Sequence, residues 1–229
     1  MTKKTAILIF AQSAQKDAQR KSFRQSVALF EELNRQTIET VEDTGLPYFH
    51  FSEKEQVGDS FGDRLTHALS QVYAQGFENV IAIGNDTPHL SAGHILSAVA
   101  QLETSALVLG PSTDGGFYLM GLRRSHFRPE QFKNLPWQSA QLSEVIMSTL
   151  SRKRNSFNPQ LLPTLSDIDT LADVAVVAQK KATLSPCLYQ ILKNILSRTL
   201  VLALSSFERF FESLTKAHFN KGSPQFACS

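Results

Sequence analysis

The chain has 229 residues and a formal net charge of +2 at pH 7, with 42% hydrophobic and 19% charged residues. This composition is typical of a globular protein and excludes disordered, collagen-like and disulfide-stapled chains. The near balance of charges excludes a strongly basic nucleic-acid binder, so an anionic ligand would have to be met by local charge. The two cysteines, Cys187 and Cys228, form no CxxC pair, which argues against a zinc ribbon and favours a reducing compartment.

Neither a membrane span nor a signal peptide is expected. No segment approaches the run of about 18 apolar residues that a membrane helix needs. Lys3 and Lys4 are followed by too few apolar residues, and no small-residue cleavage site precedes the polar residues that begin at Gln12. The sequence therefore predicts a cytoplasmic protein.

The first half of the chain alternates short apolar runs with amphipathic segments of helical period. In chain order the predicted elements are a strand Thr5–Phe10, a loop Gln12–Lys21, a helix from Ser22 to about Gly45, a strand Tyr48–Phe51, a helix around Leu65–Tyr73 ending at Gly76, a strand Val80–Ile83, a helix Ser91–Leu102 and a strand Ala106–Leu109. Parallel strands need long crossovers, so this alternation predicts a parallel sheet with helices on both faces.

The second half is less regular. An extra strand is predicted over Phe117–Leu122, a helix over Leu142–Leu150, and a proline-containing strand over Phe157–Leu165, with edge or mixed pairing. The predicted fold is a three-layer α/β/α sandwich with a mostly parallel mixed sheet. Residues 1–183 would form this domain and residues 184–229 a C-terminal helical extension. Its apolar stripe fits packing on the sheet, a dimer contact or peripheral membrane contact.

Acidic residues follow several predicted strands, where open α/β sheets bind ligands. Asp86 follows the third strand and Asp114 the fourth, while Asp167 and Asp169 would share one face of an extended segment. Because carboxylate oxygens select hard cations, we expect Mg²⁺ or Mn²⁺ between Asp86 and the pair Asp167 and Asp169. Asp114 would contact acceptor or sugar hydroxyls.

Each of these residues also has a purely structural interpretation. Asp86 would shape a turn before Pro88, which would open the next helix. Asp169 would cap the helix that follows it, and Asp114 would belong to a tight hairpin.

The predicted loop Gln12–Lys21 carries the cations Lys16, Arg20 and Lys21 ahead of a helix N-terminus. These cations and free backbone N–H groups are candidates to hold a diphosphate. A solvated charged loop is the alternative. The absence of glycine from this segment excludes the P-loop and Rossmann motifs.

Five ordered blocks between Gln56 and Val174 carry a family resemblance. They are Gln56 with Gly58-Asp59 and Gly62-Asp63-Arg64-Leu65, Gly84-Asn85-Asp86-Thr87-Pro88-His89-Leu90, Gly110-Pro111 with Asp114-Gly115-Gly116-Phe117-Tyr118-Leu119-Met120-Gly121, Trp137 with Ser139, and Asp167-Ile168-Asp169-Thr170 with Asp173-Val174. The chain resembles a glycosyltransferase-A-like family of unknown function, of the selenodomain-associated transferase type, related to molybdenum-cofactor and phospholactate nucleotidyltransferases.

The resemblance implies a nucleotide-diphospho-sugar transferase fold. Asp86 would take the metal-binding role of the DxD aspartate, and Asp167 and Asp169 resemble the late acidic pair. Asn85, Gly115 and Gly116 would contact nucleotide or substrate. The first loop departs from the family, since Ala11 to Lys21 lacks the proline, the glycine and the Lys-Thr-Arg order of the usual pattern.

The function expected from the sequence is a metal-dependent glycosyltransferase-A-type transferase with a nucleotide-sugar donor and Asp86 and Asp114 at the reacting centre. Two alternatives stay open. One is a nucleotidyltransferase that uses a nucleotide triphosphate to modify a phosphorylated small molecule, and the other is a non-catalytic binding protein with a degenerate donor loop.

Overall fold

The computed structural model describes residues 5–21, 23, 26–139, 141–142, 145–146 and 159–197. The strands are β1 (Thr5–Phe10), β2 (Tyr48–Phe51), β3 (Asn79–Ile83), β4 (Leu107–Pro111), β5 (Phe117–Arg123) and β6 (Gln160–Leu161). The helices are α1 (Ala14–Arg20), α2 (Ser26–Glu42), α3 (Phe61–Ala74), α4 (Ala92–Gln101), α5 (Pro129–Lys133), α6 (Leu171–Gln179) and α7 (186–197).

The six strands form one mixed sheet in the order β2-β1-β3-β5-β4-β6. β1 is parallel to β2 and β3, and β4 is parallel to β6. β5 lies between β3 and β4 and is antiparallel to both. The α/β fold with a mixed sheet is therefore confirmed. Because β3 and β4 are both antiparallel to β5, they are parallel to each other. The loop after β4 therefore lies at the same edge of the sheet as the carboxyl ends of β1 and β3.

Both faces of the sheet are covered, as the alternation of side chains along buried strands requires. Ala6 and Leu8 of β1 face one apolar core together with α3. Ile7 and Ile9, their neighbours in β1, face a second core with α2 and α4. Helices thus flank the sheet on each side and make three layers.

Local signals place the ends of two helices. Ser60 and Asp63 form a capping box at the start of α3, and Gly76, just after its end, has a φ of 93°. Glycine takes that left-handed conformation without steric cost, so the predicted helix end is confirmed. Ser91 caps α4, as the sequence predicts, and His94 completes its capping box.

Two local expectations are wrong. The segment Gln12–Lys21 is mostly helical instead of a loop, because Ser13 caps α1 and its hydroxyl accepts a hydrogen bond from the backbone N–H of Lys16. Pro88 does not open the next helix, which begins at Ala92 after a turn in which Leu90 N–H donates to Thr87.

A third apolar core joins the late helices to the first part of the chain. Leu188 and Leu192 of α7 pack in it with Phe30 of α2 and Val177 of α6. The division at residue 183 stays a prediction. Of the predicted helix Leu142–Leu150, residues 143, 144 and 147–150 lie outside the described residues, as do residues 157 and 158 of the strand Phe157–Leu165 and the apolar stripe beyond residue 197.

Among the described residues, no helix combines the length and the apolar character that crossing a bilayer requires.

Candidate active site

A cleft of about 310 Å³ opens at the carboxyl ends of β1, β3 and β4. Its wall combines cationic, acidic and aromatic side chains. The residues that matter below are Gln12, Asp17, Arg20, Lys21, Phe61, Arg64, Asn85, Asp86, Ser112, Asp114, Gly116, Trp137, Gln138, Asp167 and Asp169. All four aspartates singled out by the sequence therefore line one cleft.

Backbone hydrogen bonds bring three separate loops together there. Ile168 N–H donates to the carbonyl of Asp86 at 2.9 Å, which holds the late acidic segment against the loop after β3. Thr113 N–H donates to the carbonyl of Leu165 at 3.0 Å, which holds the same segment against the loop after β4. Ile168 is fully buried, so Asp167 and Asp169 flank an apolar anchor.

Asp114, Asp167 and Asp169 each offer a carboxylate oxygen, and these three atoms lie within 4.8 Å of one another. The predicted convergence of Asp167 and Asp169 thus appears in the structure. The group differs from the predicted metal set because Asp114 stands in it where Asp86 was expected. An oxygen-only set of this kind suits Mg²⁺, Mn²⁺ or Ca²⁺ better than metals that prefer nitrogen or sulfur.

Asp167 has an unusual protonation equilibrium. Burial raises its pKa to about 7, with further increases from the negative charges of Asp86 and Asp114. The Thr87 hydroxyl, which donates to Asp167 Oδ1 at 3.2 Å, acts in the opposite direction. Near neutral pH this carboxyl group is therefore poised between its two protonation states, and a cation in the group would displace its proton.

Lys21 forms ion pairs with two of the aspartates in the cleft, Asp86 and Asp169. Its ammonium nitrogen lies 2.8 Å from Asp86 Oδ2 and 2.7 Å from Asp169 Oδ1, and it donates to the carbonyl of Ile168 at 3.1 Å. Burial lowers the pKa of Lys21, but attraction to Asp86 and Asp169 outweighs that effect, so the pKa is raised above its ordinary value. Lys21 is therefore a permanent positive charge in the cleft.

Asn85 and Asp17 form a buried polar pair in the wall of the cleft. Asn85 Nδ2 donates to Asp17 Oδ2 at 3.0 Å and to Asn34 Oδ1 at 2.6 Å. Burial raises the pKa of Asp17, although the hydrogen bond from Asn85 opposes the increase. Asn85 thus has protein partners already, and its contact to a nucleotide stays a prediction.

Asp17 was missed by sequence reasoning. It lies on α1, a helix of seven residues, which is too short for its buried face to appear as an apolar period. The signal that was present is Ser13, a residue type that favours helix N-caps, at the start of this short polar segment.

The predicted anion-binding cations divide between two environments. Arg20 and Lys21 line the cleft, whereas Lys16 is exposed and is not part of the lining. Arg64 lines the cleft as well and donates to the carbonyl of Asp59 at 3.1 Å.

The structural interpretations of two aspartates have separate outcomes. Asp114 does shape the β4–β5 turn, since its Oδ1 accepts the N–H of Gly116 at 2.8 Å and the hydroxyl of Ser112. Asp169 does not cap the next helix. Thr170 is the N-cap of α6 and forms a capping box with Asp173.

Gly115, in the same turn as Asp114, has a φ of 93°, a conformation that L side chains rarely adopt.

Aromatic side chains form a further part of the cleft wall. The rings of Phe61 and Trp137 lie 5.5 Å apart between centroids, and Trp137 Nε1 donates to the carbonyl of Phe132 at 2.8 Å. The next residue, Gln138, has a φ of 59°, which is uncommon for a residue with a side chain. Strained backbone of this kind is often found at binding sites.

Comparison with known proteins identifies a family and a fold. The sequence profile of a family described as "Uncharacterized protein conserved in bacteria (DUF2064)" matches residues 14–139. A search of curated proteins finds no match.

Among solved structures, a protein from Desulfovibrio desulfuricans G20, provisionally described as a nucleotide-diphospho-sugar transferase, is similar with a TM-score of 0.72 and 20% identity over 84% of this chain and 95% of its own. This likeness shows the fold alone. The 4-diphosphocytidyl-2C-methyl-D-erythritol synthase of Anaerococcus prevotii DSM 20548 has a TM-score of 0.48 and 10% identity, over 77% of this chain and 97% of its own. The nucleotide-diphospho-sugar transferase fold that the resemblance implies is confirmed.

Proposed function

This chain belongs to the DUF2064 family, and we propose that it is a metal-dependent transferase that binds a nucleotide-sugar donor in the cleft and releases a nucleotide diphosphate. The observation that carries the proposal is the convergence of Asp114, Asp167 and Asp169 within 4.8 Å beside the cations that line the cleft. Five aspartates and three basic side chains line the cleft, and a divalent cation would balance this excess of carboxylates.

The donor set fits a hard divalent cation, which Asp114, Asp167 and Asp169 would hold. When bound, such an ion supplies positive charge to the diphosphate leaving group as negative charge develops on it. Magnesium and manganese both suit this chemistry, and they are the cations we expect.

The protein's own residues supply charge and orientation. Arg20 and Lys21 add positive charges to the cleft wall, which would attract the phosphates of a donor. Asp114 is held in the β4–β5 turn by two hydrogen bonds, which limits the entropy lost when it contacts a sugar hydroxyl or a cation. Catalytic roles for Asp86 and Asp114, and nucleotide contacts by Lys16, Asn85, Gly115 and Gly116, stay predictions.

The test measures the thermal unfolding of the protein in the presence of a panel of nucleotide sugars and nucleoside triphosphates, each with and without Mn²⁺. A ligand at about a hundred times its dissociation constant adds roughly 2.7 kcal/mol to the free energy of unfolding. We expect a nucleotide sugar to stabilise the protein only when Mn²⁺ is present. Loss of stabilisation is expected in Asp114→Asn, since asparagine keeps the Oδ1 acceptor of the turn and removes the charge. Asp43→Asn, an exposed change outside the cleft, should bind normally.

A panel in which no ligand stabilises the protein in either condition would contradict the proposal. If ligands bind and products are analysed, release of a nucleotide diphosphate supports sugar transfer. Release of pyrophosphate from a triphosphate would instead assign nucleotidyl transfer.

One observation favours a second candidate, a binding protein without turnover. Lys21 already pairs with Asp86 and Asp169, which is how a site that no longer needs a metal would balance its carboxylates. Binding of a nucleotide sugar that is independent of Mn²⁺, with no product after prolonged incubation, would assign this function.

A further inference from the structure

The Lys21 ammonium occupies one side of the acidic cluster and is fixed there by several contacts. Besides the carboxylates of Asp86 and Asp169 it reaches the carbonyl of Ile168, and it lies 5.2 Å from the ring centroid of Phe30. Only 17% of its side chain is exposed. A lysine at the surface would exchange between partners, whereas this one has carboxylate, carbonyl and ring partners at once.

Asp169 belongs to two groups at the same time. It is one of the three carboxylates that lie within 4.8 Å of one another, and it is also 2.7 Å from the Lys21 ammonium. A divalent cation and the lysine would therefore draw on the same carboxylate. The positive charge of Lys21 also repels any cation that approaches the cluster.

Asp86 is separated from the three-carboxylate group by the same contact. Its Oδ2 is engaged by Lys21, while Asp114 completes the group with Asp167 and Asp169. The sequence predicts that Asp86 binds the metal, but in the structure Asp86 forms an ion pair with Lys21.

We propose that Lys21 is a positioning residue that acts as a built-in counter-cation, reserving Asp86 and part of Asp169 and leaving a site for one divalent ion centred on Asp114 and Asp167. The inference rests on the proposed function for the identity of the cation. Lys21 sets how tightly that ion binds, because it competes for Asp169 and contributes a repulsive charge.

The test compares Mn²⁺ affinity of the full chain, measured by isothermal titration calorimetry and by electron paramagnetic resonance of free Mn²⁺. In Lys21→Met the charge is lost and the length of the side chain is nearly kept. We expect this variant to bind Mn²⁺ more tightly than the unmodified protein by about tenfold or more, since a unit charge a few ångströms away is worth several times the thermal energy.

Two matched variants isolate the charge. Lys21→Arg keeps the charge and should restore the original affinity. Lys193→Met removes an exposed lysine outside the cleft lining and should leave the Mn²⁺ affinity unchanged. Circular dichroism of each variant checks that it folds. A purely structural role for Lys21 predicts the opposite result, because a disturbed site binds metal more weakly.

The outcomes separate the inference from the proposed function. Equal or weaker Mn²⁺ binding by Lys21→Met, with binding by the unmodified protein, overturns the role of Lys21 and leaves the metal-dependent transferase intact. Binding by Lys21→Met alone supports the counter-cation and contradicts metal dependence in the native chain. No Mn²⁺ binding by any variant overturns both.

Discussion

The ammonium nitrogen of Lys21 lies 2.8 Å from Oδ2 of Asp86, which joins the residue after α1 to the loop after β3 across 65 positions of sequence. The contact closes one side of the cleft and ties α1 to the sheet edge. Its strength depends on limited solvent access, since the side chains of Lys21 and Asp86 are 17% and 31% exposed.

We expect the substitution Lys21→Met to lower the free energy of unfolding by about 1–3 kcal/mol in metal-free buffer, because it leaves Asp86 and Asp169 without their cation. Urea unfolding measures the change. The double variant Lys21→Met with Asp86→Asn should recover part of the loss, since the carboxylate left unpaired is then gone. Additive losses in the double variant would show that the two side chains are not coupled.

The ionisation of Asp167 should make the free energy of unfolding depend on pH. Its pKa is raised to about 7 by burial, from 3.8 in an exposed chain, so the folded protein binds a proton that the unfolded chain has released. The contribution of this group to stability is therefore complete below about pH 4 and is lost as the pH rises through 7. The difference in unfolding free energy between the unmodified protein and Asp167→Asn should fall over that window in metal-free buffer. A flat difference would contradict the raised pKa.

Metal affinity should follow the opposite trend. A cation binds the carboxylate and displaces the proton of Asp167, so Mn²⁺ should bind more tightly at pH 8 than at pH 6. Calorimetry in two buffers of different ionisation enthalpy would count the protons released. Identical affinity at both pH values, with no proton release, would place the cation away from Asp167.

Two helical glycines offer a matched pair. A Cβ on Gly62 of α3 would meet the carbonyl oxygen of Lys133 at 2.3 Å and Trp137 Cδ1 at 2.6 Å. A Cβ on Gly93 of α4 would have its nearest neighbour, the Ser91 hydroxyl oxygen, at 3.6 Å. Gly62→Ala should therefore destabilise the fold by about 1–3 kcal/mol and displace Trp137 from the cleft wall. Gly93→Ala should be neutral or stabilising by up to about 1 kcal/mol. Thermal unfolding and tryptophan fluorescence read both effects, and equal behaviour of the two variants would contradict the close packing.

The third apolar core predicts that the first part of the C-terminal extension, helix α7, stabilises the fold. Leu188 is fully buried in the core that also contains Phe30 and Val177, whereas its neighbour Cys187 is exposed. Leu188→Ala should cost about 2–5 kcal/mol of stability, and Cys187→Ala less than about 0.5 kcal/mol. Small losses in both would mean that α7 contributes little to the fold and would favour the boundary predicted at residue 183.

Much of the fold was predictable because the signals are local. The apolar runs of β1 and β3, the amphipathic period of α3 and the cap at Ser91 are properties of a few consecutive residues, so the strand and helix alternation could be recognised without any tertiary contact. The same holds for Asp167 and Asp169, since two residues in an extended segment share a face wherever that segment lies.

What only the tertiary structure decided concerns partners that are distant in sequence. The backbone hydrogen bond from Thr113 N–H to the carbonyl of Leu165 holds the turn of Asp114 beside Asp167 and Asp169, and such a long-range contact is not encoded in the period of any one strand. Helix α1 is too short to show a face, so the burial of Asp17 and the placing of Lys21 against Asp86 depend on packing. Charge alone made the carboxylates candidates, but the balance of burial, repulsion and pairing in the folded chain determines which of them is free to meet a cation.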